Sequence, residues 1–507
     1  MRLLIVSNRL PVNVTKEKGK MVLQAGAGGL VSGLSAYLDS LSGPAASDPG
    51  YVWVGWPGAA ISGEAKVEVR DRLREEHHAH PVFISERAME RFYLGFCNRT
   101  IWPLFHYFPN YTSYPDEYWR EYVAVNRAFR DAVVEVARPD DVIWVHDYHL
   151  MLLPLLIREQ MPAARIGFFL HIPFPSYEVF RLLPSAWRAD ILRGLLGADV
   201  VGFHTEDYTR YFSQCVERIL GYEPDGQGLI LVDGHVVRAG AFPMGVDLRR
   251  YETAALDPEL RGEIEELRTT FAPCKVVLSI DRLDYSKGIF NRLRAYEAFL
   301  EKGPEWREKV VLVLVVVPSR VGVEEYQRTK RNVDELVGKI NGAYATMSWT
   351  PIRYRYTFLP FRQLVSLYAA SDVALVTPLR DGMNLIAKEY LSARPDGTGV
   401  LILSETAGAA NELRQAIIVN SNDVEGVADA LRQALAMPEE EQIRRNEAMR
   451  AHLALHDVVH WAKSFREALL GVAADQLSLV PPLSSCVRTP PTPSVQLSER
   501  GSRAAGG

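Results

Sequence analysis

The sequence predicts an α/β protein with two doubly wound sheets of mostly parallel strands. Short runs of β-branched and other apolar residues recur between helical segments such as residues 291–303. These runs are continuous rather than alternating in polarity, as expected for parallel strands buried on both faces. The chain of 507 residues is also too long for one hydrophobic core, so we expect each sheet to form a domain of its own.

The predicted strands follow one another in two series of βαβ units. In the first half of the chain, they lie at residues 3–6, 51–56, 141–147, 165–172 and 199–204. In the second half, they lie at residues 275–282, 310–317, 372–378 and 399–405.

A stretch with proline and glycine at residues 241–252 separates the two series and indicates an inter-domain hinge. We therefore predict an N-terminal domain of residues 1–245 and a C-terminal domain of residues 246–475, with ligands bound in the cleft between them. The remaining residues, 476–507, are rich in Pro, Ser and Gly and predict a disordered tail.

Composition narrows the function classes. The net charge of −5 argues against a general nucleic-acid binder. The longest purely apolar run, residues 310–317, is too short to span a membrane, and the N-terminus lacks the features of a secretory signal. The cysteines lack the spacing of a disulfide framework or a zinc site; they are Cys97, Cys215, Cys274 and Cys486. We expect a cytoplasmic protein that binds neither nucleic acid nor membrane.

Cationic side chains follow several predicted strands, where ligands bind in doubly wound folds. Arg9 comes after the first strand, Arg282 and Lys287 leave the strand at 275–282, and Arg320 follows the next. A single arginine of this kind would more often form a surface salt bridge. Cations in three such loops instead indicate a phosphorylated small-molecule substrate.

Polar residues also follow the strands of the first half. Asp147 can cap a helix or bind sugar hydroxyls. His146 and His149 are three residues apart, a spacing that is compatible with a metal site, but no third ligand is evident. His171 precedes two prolines and is either a core histidine or a residue of the cleft.

Glycines precede an apolar helical pattern that starts near Leu30. Gly26, Gly28 and Gly29 would let backbone N–H groups approach a phosphate. The spacing is not that of a dinucleotide-binding fingerprint, and a plain loop before a helix is an equally good interpretation.

The stretch "VTPLRDGMNLIAKEY" places charges at a predicted strand-to-helix turn. Gly382 supplies a turn with exposed N–H groups, Asp381 can bind hydroxyls in the cleft, and Glu389 lies in the helix. Taken alone, the segment would predict an ion pair of Arg380 or Lys388 with one of the two carboxylates.

Several longer motifs occur together and in order: "SNRLP", "GAGGLVSGL", "IWVHDYHLMLLP", "GFFLHIPFPS", "DRLDYSKG", "INGAYATMSWTPI" and "LVTPLRDGMNLIAKEY". Together they closely resemble trehalose-6-phosphate synthases, over about residues 1–470. These are retaining glycosyltransferases with two Rossmann-like domains facing a cleft, the GT-B architecture. The resemblance implies glucosyl transfer from a nucleotide sugar, typically UDP-glucose, to glucose 6-phosphate, giving α,α-trehalose 6-phosphate and UDP.

The resemblance also implies roles for individual residues. Those expected to contact glucose 6-phosphate are Arg9, Tyr93, Trp102, Asp147 and Arg320. Those expected to contact the donor UDP-glucose are Gly28, Gly29, His171, Arg282, Lys287, Asp381, Gly382, Met383, Asn384, Leu385 and Glu389. The residues expected at the reacting groups are Asp147, His171, Arg282, Lys287 and Asp381.

The implied chemistry is a front-face reaction, in which the acceptor hydroxyl attacks from the side that the diphosphate leaves. Arg282 and Lys287 would stabilise the diphosphate in place of a metal, so we expect neither a metal nor a cofactor. Homo-oligomers are common in the family, and no phosphatase domain is expected after residue 475.

Two other functions stay open. One is a related enzyme that couples cyclitols, and the other is a catalytically silent regulatory subunit. Changes at the acceptor-binding arginine or the "DGMNL" loop would support the first, and loss of cationic residues at the donor site would support the second. All of these residues are intact here.

Overall fold

The computed structural model describes residues 1–17, 20–26, 33–34, 37–38, 50–320 and 322–479. The strands are β1 (Leu3–Arg9), β2 (Val12–Glu17), β3 (Lys20–Ala25), β4 (Tyr51–Trp56), β5 (Ala79–Pro81), β6 (Val142–His146), β7 (Arg165–Phe169), β8 (Val200–Phe203), β9 (Leu229–Val232), β10 (His235–Ala241), β11 (Lys275–Arg282), β12 (Val310–Val317), β13 (Ile352–Tyr356), β14 (Val373–Val376), β15 (Val400–Ser404) and β16 (Ile417–Val419).

The helices cover both faces of the sheets. They are α1 (Ala65–His77), α2 (Glu86–Ala88), α3 (Trp102–Phe105), α4 (Asp116–Val136), α5 (Leu153–Gln160), α6 (Tyr177–Phe180), α7 (Ser185–Leu195), α8 (Glu206–Leu220), α9 (Leu248–Leu256), α10 (Pro258–Phe271), α11 (Ile289–Lys302), α12 (Glu324–Tyr344), α13 (Phe361–Ala370), α14 (Leu385–Ser392), α15 (Val424–Leu435), α16 (Glu439–Leu455) and α17 (Val458–Leu479). A π-helix, Met89–Ile101, joins α2 to α3. None of the described helices has both the length and the apolarity needed to cross a membrane.

The first sheet has the strand order β5-β4-β1-β6-β7-β8-β10-β9. Its strands are parallel except for β9, which pairs antiparallel with β10. The chain starts in the middle at β1, builds outward through β4 and β5, and then returns to the other side at β6. The strand order therefore reverses between β1 and β6, which opens a crevice at their carboxyl ends.

The second sheet is parallel throughout and has the order β13-β12-β11-β14-β15-β16. It starts in the middle at β11, and its order reverses between β11 and β14. Each sheet therefore has one crevice of the kind in which doubly wound proteins bind ligands.

The predicted fold class is confirmed, and each predicted strand overlaps a strand of the structure. The reason is burial: β6 and β15 are buried along their whole length, as their continuous apolar sequences indicate. Most of the strands that the sequence did not reveal lie toward sheet edges or in the separate β2–β3 hairpin. There, polar residues interrupt the apolar pattern, as in "IRYRY" of β13.

The last helix, α17, packs on the first sheet rather than on the second. The ring of Trp461 lies 5.1 Å from that of Trp144, and the ring of Phe465 lies 4.7 Å from it. Within the described residues, the chain thus passes between the sheets twice, and the two passages meet where Val458 N–H donates to the carbonyl oxygen of Val246. The division into domains at residue 245 stays a prediction.

The predicted tail starts within α17, because residues 476–479 are helical. The rest of that tail lies outside the described residues.

Candidate functional site

The crevices of both sheets open into one cavity of about 320 Å³. The first sheet contributes residues that follow β1, β6 and β7, and the second contributes residues that follow β11, β12 and β14. The predicted site residues that line the cavity are Arg9, Tyr93, Trp102, Asp147, His171, Arg282, Lys287, Arg320, Asp381 and Gly382. The strand order therefore brings together residues from distant parts of the sequence.

Arg9 is the last residue of β1, and its guanidinium lies over aromatic rings. The distance is 4.7 Å to the Trp56 ring and 5.9 Å to the Tyr93 ring. Across the described part of the chain, no carboxylate forms a salt bridge with it; its one polar side-chain contact is with Asn13, at 3.5 Å. The salt-bridge alternative is therefore not realised there, and this cation is available to an anion.

Arg320, in contrast, is already paired. It lies 2.8 Å from a carboxylate oxygen of Asp284 and 3.8 Å above the Trp102 ring, and it also contacts the hydroxyls of Tyr148 and Tyr326. Its side chain is only 6% exposed. Its charge is thus largely balanced before any ligand binds.

The cations of the second sheet occupy the loop after β11. Arg282 ends the strand, is exposed, and has its guanidinium 6.0 Å from the Trp102 ring. Lys287 is nearly buried, and its Nζ lies 2.6 Å from Oδ2 of Asp381. Asp284 stabilises this loop, because its carboxylate accepts a hydrogen bond from the backbone N–H of Ser286.

Asp381 stays ionised because of its neighbours. Burial alone would raise the pKa of this carboxyl, but the ammonium group of Lys287 and a hydrogen bond from Asn384 hold its pKa below the usual value. Asn384 adopts a left-handed backbone and caps α14 with its side-chain oxygen. The turn therefore presents a carboxylate next to a helix start.

Gly382 lies against the loop of the first sheet. A Cβ atom at this position would overlap the carbonyl oxygen of His171, so only glycine fits. The hydroxyl of Tyr208 also donates to the carbonyl oxygen of Asp381. The Asp381 turn is thus in direct contact with the other half of the cleft.

The predicted ion pair within this segment is wrong, because each charge finds its partner elsewhere. Lys388 is buried and lies 2.8 Å from Glu412. The guanidinium of Arg380 lies 4.0 Å from the Tyr107 ring. Glu389 accepts a hydrogen bond from Tyr368, and burial raises its pKa.

Some predicted donor residues are not part of the cavity wall. Two of them, Met383 and Asn384, follow Gly382 in the turn. The other two, Leu385 and Glu389, lie in α14. Gly28 and Gly29 lie outside the described residues.

Asp147 has an unusual backbone and an unusual carboxyl group. Its φ is 75°, which is strained for a residue with a side chain. Burial raises its pKa to about 6, although it accepts a hydrogen bond from the backbone N–H of His171. Strain and desolvation at one residue are frequent at functional sites.

The histidines of this region form contacts with one another and with aromatic rings. Nδ1 of His146 lies 3.1 Å from Nε2 of His171, and burial lowers the pKa of His171 to about 3. His149 stacks on Tyr93 instead of facing His146. Among the described residues, no group of three metal-ligating side chains is found.

The model of glycosyltransferase family 20 matches residues 1–470. The chain belongs to glycosyltransferase family 20. Its fold is shared with solved members of the family that have the two-domain GT-B architecture.

Proteins with similar sequences to this family 20 member carry the name trehalose-phosphate synthase. A bifunctional trehalose-6-phosphate synthase/phosphatase from Thermoproteus tenax is 48% identical over 93% of this chain. The chain spans 64% of the length of that relative.

Solved structures resemble the whole fold. An alpha,alpha-trehalose-phosphate synthase (UDP-forming) from Burkholderia xenovorans, in complex with glucose-6-phosphate, has a TM-score of 0.83 and 35% identity, covering 93% of this chain and all of that one. A structure from E. coli bound with UDP-2-fluoro glucose has a TM-score of 0.83 and 34% identity, covering 92% of this chain and 99% of that one.

The cavity of this family 20 member also contains residues that sequence reasoning did not single out. His106, Tyr148 and Asn8 all line it. His106 lies four residues after Trp102 and therefore one helical turn further on. This four-residue spacing in "WPLFH" is the feature of the sequence that could have indicated His106, but the same spacing is common in helices that form no site.

Proposed function

We propose that this family 20 member transfers a glucosyl group from UDP-glucose to glucose 6-phosphate, with retention, and releases α,α-trehalose 6-phosphate and UDP. The observation that carries the proposal is the single cavity that both sheets line. Within the described residues, it has an arginine without a carboxylate partner on the side of the first sheet and a lysine–carboxylate pair on the side of the second. A phosphorylated acceptor and a diphosphate donor would thus be bound face to face.

The acceptor would bind on the side of the first sheet. Arg9 has no competing carboxylate in the described part of the chain, so it would bind the phosphate. Arg320 is compensated by Asp284 and would contribute a weaker contact. Tyr93 and Trp102 would pack on the sugar, and Asp147 would accept hydrogen bonds from its hydroxyls. The complex of the Burkholderia relative with glucose-6-phosphate supports this type of acceptor.

The donor would bind on the side of the second sheet. Lys287 uses one of its three N–H donors on Asp381, so two remain for phosphate oxygens. Arg282 is exposed at the end of β11 and would contact the diphosphate as well. Asp381, Gly382 and His171 would surround the glucosyl unit.

The nucleoside would extend from the cavity toward α14. Met383, Asn384 and Leu385 would hold the donor through the turn and the helix start, and Glu389 would accept a hydrogen bond from the ribose. Gly28 and Gly29, which lie outside the described residues, are expected at the donor from the resemblance alone. The E. coli relative bound with UDP-2-fluoro glucose supports a uridine nucleotide sugar.

The reaction would take place on one face of the sugar. The bond from the anomeric carbon to the diphosphate oxygen breaks while the acceptor hydroxyl oxygen bonds to the same carbon. The hydroxyl proton passes to an oxygen of the departing diphosphate. Arg282 and Lys287 would stabilise the charge that grows on that diphosphate, which is their main catalytic effect. Asp381 would position the sugar rather than attack it.

The test is a UDP-release assay with purified protein. UDP should appear when UDP-glucose and glucose 6-phosphate are both present, and much more slowly with either one alone. ADP-glucose and GDP-glucose, tested in parallel, identify the donor base. Absence of release with every donor would refute the proposal. Cytoplasmic location and homo-oligomerisation remain predictions from the sequence.

A further inference from the structure

His106 is a buried polar side chain in the cavity wall for which the chemistry above has no use. It is 2% exposed, and its ring stacks on Trp102 with centroids 4.1 Å apart. Its Nδ1 lies 2.8 Å from the carbonyl oxygen of Trp102. Because a carbonyl oxygen can only accept a hydrogen bond, Nδ1 must carry the proton. This bond determines the tautomer of the ring.

The other ring nitrogen, Nε2, is therefore an acceptor. Burial lowers the pKa of His106 to about 4, so the imidazole is neutral near pH 7. In the described part of the chain, no hydrogen bond to Nε2 is formed, although the ring lines the cavity. Nε2 is not among the fully buried side-chain atoms that lack a hydrogen-bond partner, so it is open to the cavity, where an O–H or N–H group of a ligand can reach it.

The charges around the ring indicate which ligand this is. The carboxylates of Asp284 and Asp381 and the ammonium group of Lys287 are charged groups that act on the pKa of His106. Lys287 and Asp381 form an ion pair on the donor side of the cavity that His106 also lines. A hydroxyl of the transferred sugar is the group that would approach both Asp381 and the ring stacked on Trp102.

Building on the proposed function, we propose that His106 is a binding residue for the glucosyl unit of the donor: its Nε2 accepts a hydrogen bond from one sugar hydroxyl. The interaction selects donors that carry this hydroxyl. The Trp102 carbonyl makes the selection possible, since it keeps Nε2 free of a proton.

A pair of variants separates the two nitrogens of the ring. His106→Asn keeps an N–H near the position of Nδ1 and removes the acceptor at Nε2. His106→Gln places an amide oxygen near the position of Nε2. Binding of UDP-glucose and of its 2-, 3-, 4- and 6-deoxy analogues is measured by calorimetry for each protein, because deoxygenation changes the intrinsic rate of transfer.

Wild-type protein should bind one deoxy analogue about tenfold more weakly than UDP-glucose, the effect of one hydrogen bond. That penalty should vanish in His106→Asn and persist in His106→Gln. A penalty that stays the same in His106→Asn for every analogue would overturn the proposal.

A second measurement needs no variant and therefore does not depend on their folding. In wild-type protein with ¹⁵N-labelled histidine, the Nε2 resonance of His106 should move when UDP-glucose binds and stay in place when UDP binds. A resonance that UDP moves equally would also overturn the proposal.

These outcomes differ from a failure of the proposed function. If wild-type protein neither binds UDP-glucose nor transfers glucose, both proposals fail. If it transfers glucose but the hydroxyl penalty does not depend on His106, only the role of His106 is refuted.

Discussion

At the scale of single residues, the two arginines expected at the acceptor phosphate differ in their surroundings. Arg320 is buried against Asp284, whereas the described neighbours of the Arg9 guanidinium are aromatic rings and Asn13. An arginine whose charge is already balanced gains less from a phosphate than one whose charge is not. Arg9 should therefore dominate acceptor binding.

The variant Arg9→Ala tests this difference. The KM for glucose 6-phosphate should rise by roughly 10- to 100-fold, the range expected for a lost charged hydrogen bond. The affinity for UDP-glucose should stay unchanged. Arg210→Ala, which removes an exposed arginine paired with Asp207 on α8, is the matched control and should alter neither value. Equal loss of donor binding in Arg9→Ala would show that Arg9 is misassigned.

Two carboxylates of the cavity have pKa values that move in opposite directions. Burial raises the pKa of Asp147 to about 6. Burial also acts on Asp381, but Lys287 holds its pKa below the usual value. Ionised Asp147 therefore opposes folding, whereas ionised Asp381 supports it.

Asp147→Asn should accordingly raise the unfolding temperature at pH 7.5. The cost of the charge accumulates as pH rises from about 4, where the unfolded carboxyl titrates, to about 6, where the folded one does. The gain in stability should therefore disappear near pH 4. Thermal unfolding followed by circular dichroism at several pH values measures it.

The matched variant is Asp381→Asn, which should lower the unfolding temperature at pH 7.5. It leaves the ammonium of buried Lys287 without its carboxylate. The wild-type advantage is present above the usual carboxyl pKa and fades only below it, as Asp381 itself takes up a proton. Shifts of the same sign in both variants would contradict these assignments.

At the scale of elements, the turn after β14 depends on a close approach between the two halves of the cleft. Gly382 lies against the carbonyl of His171, and Gly408 lies in turn against the carbonyl of Gly382. The backbones of the two halves of the cleft are thus in direct contact at Gly382 and His171. The position of Asp381 follows from this contact.

Gly382→Ala should displace the turn, because the added methyl group overlaps the His171 backbone. UDP-glucose binding should weaken by at least tenfold, roughly the loss of one or two hydrogen bonds. Gly342→Ala is the control: a Cβ there meets no atom within 4 Å, and the residue lies within helix α12, so alanine should be neutral or stabilising. Unchanged donor affinity in Gly382→Ala would refute this role for the turn.

Elements also show what sequence reasoning can reach. Strands buried on both faces, such as β12, carry a pattern that predicts them directly. In the edge strand β13, arginine alternates with tyrosine. The sequence did not predict this strand, because about half of its residues are exposed to solvent.

The features of the site can likewise be divided into those that the sequence predicts and those that it does not. Arg282 and Lys287 follow a recognisable strand, so their place at the cavity could be predicted. The partner of Lys388 could not be predicted, because Glu412 lies 24 residues further along the chain, beyond the next strand. The hydrogen bond from His106 to the carbonyl oxygen of Trp102 could not be predicted either, because many core residues of helices have the same four-residue spacing.

At the scale of the whole molecule, the last described helix, α17, packs on the sheet that contains β1. Phe465 of α17 stacks on Trp144, and its ring lies against Gly167 and Gly202 of neighbouring strands. The absence of side chains at these glycines makes room for the ring. This helix thus completes the core of the first sheet.

Phe465→Ala should therefore destabilise the protein by about 3–5 kcal/mol, as expected for loss of a buried phenyl ring. Denaturant unfolding measures the change. Leu455→Ala, at an exposed position just before α17, is the control and should cost less than about 1 kcal/mol. An equally small cost for Phe465→Ala would show that α17 is not integral to the first sheet.

The central claim is that the cavity between the two sheets joins a glucosyl donor to a phosphorylated acceptor on one face of the sugar. The most direct measurement is NMR of the product formed from UDP-glucose labelled with ¹³C at the anomeric carbon, together with unlabelled glucose 6-phosphate. We predict α,α-trehalose 6-phosphate, with the label in an α linkage and one UDP released for each product. A β linkage, or free labelled glucose as the main product, would contradict the claim.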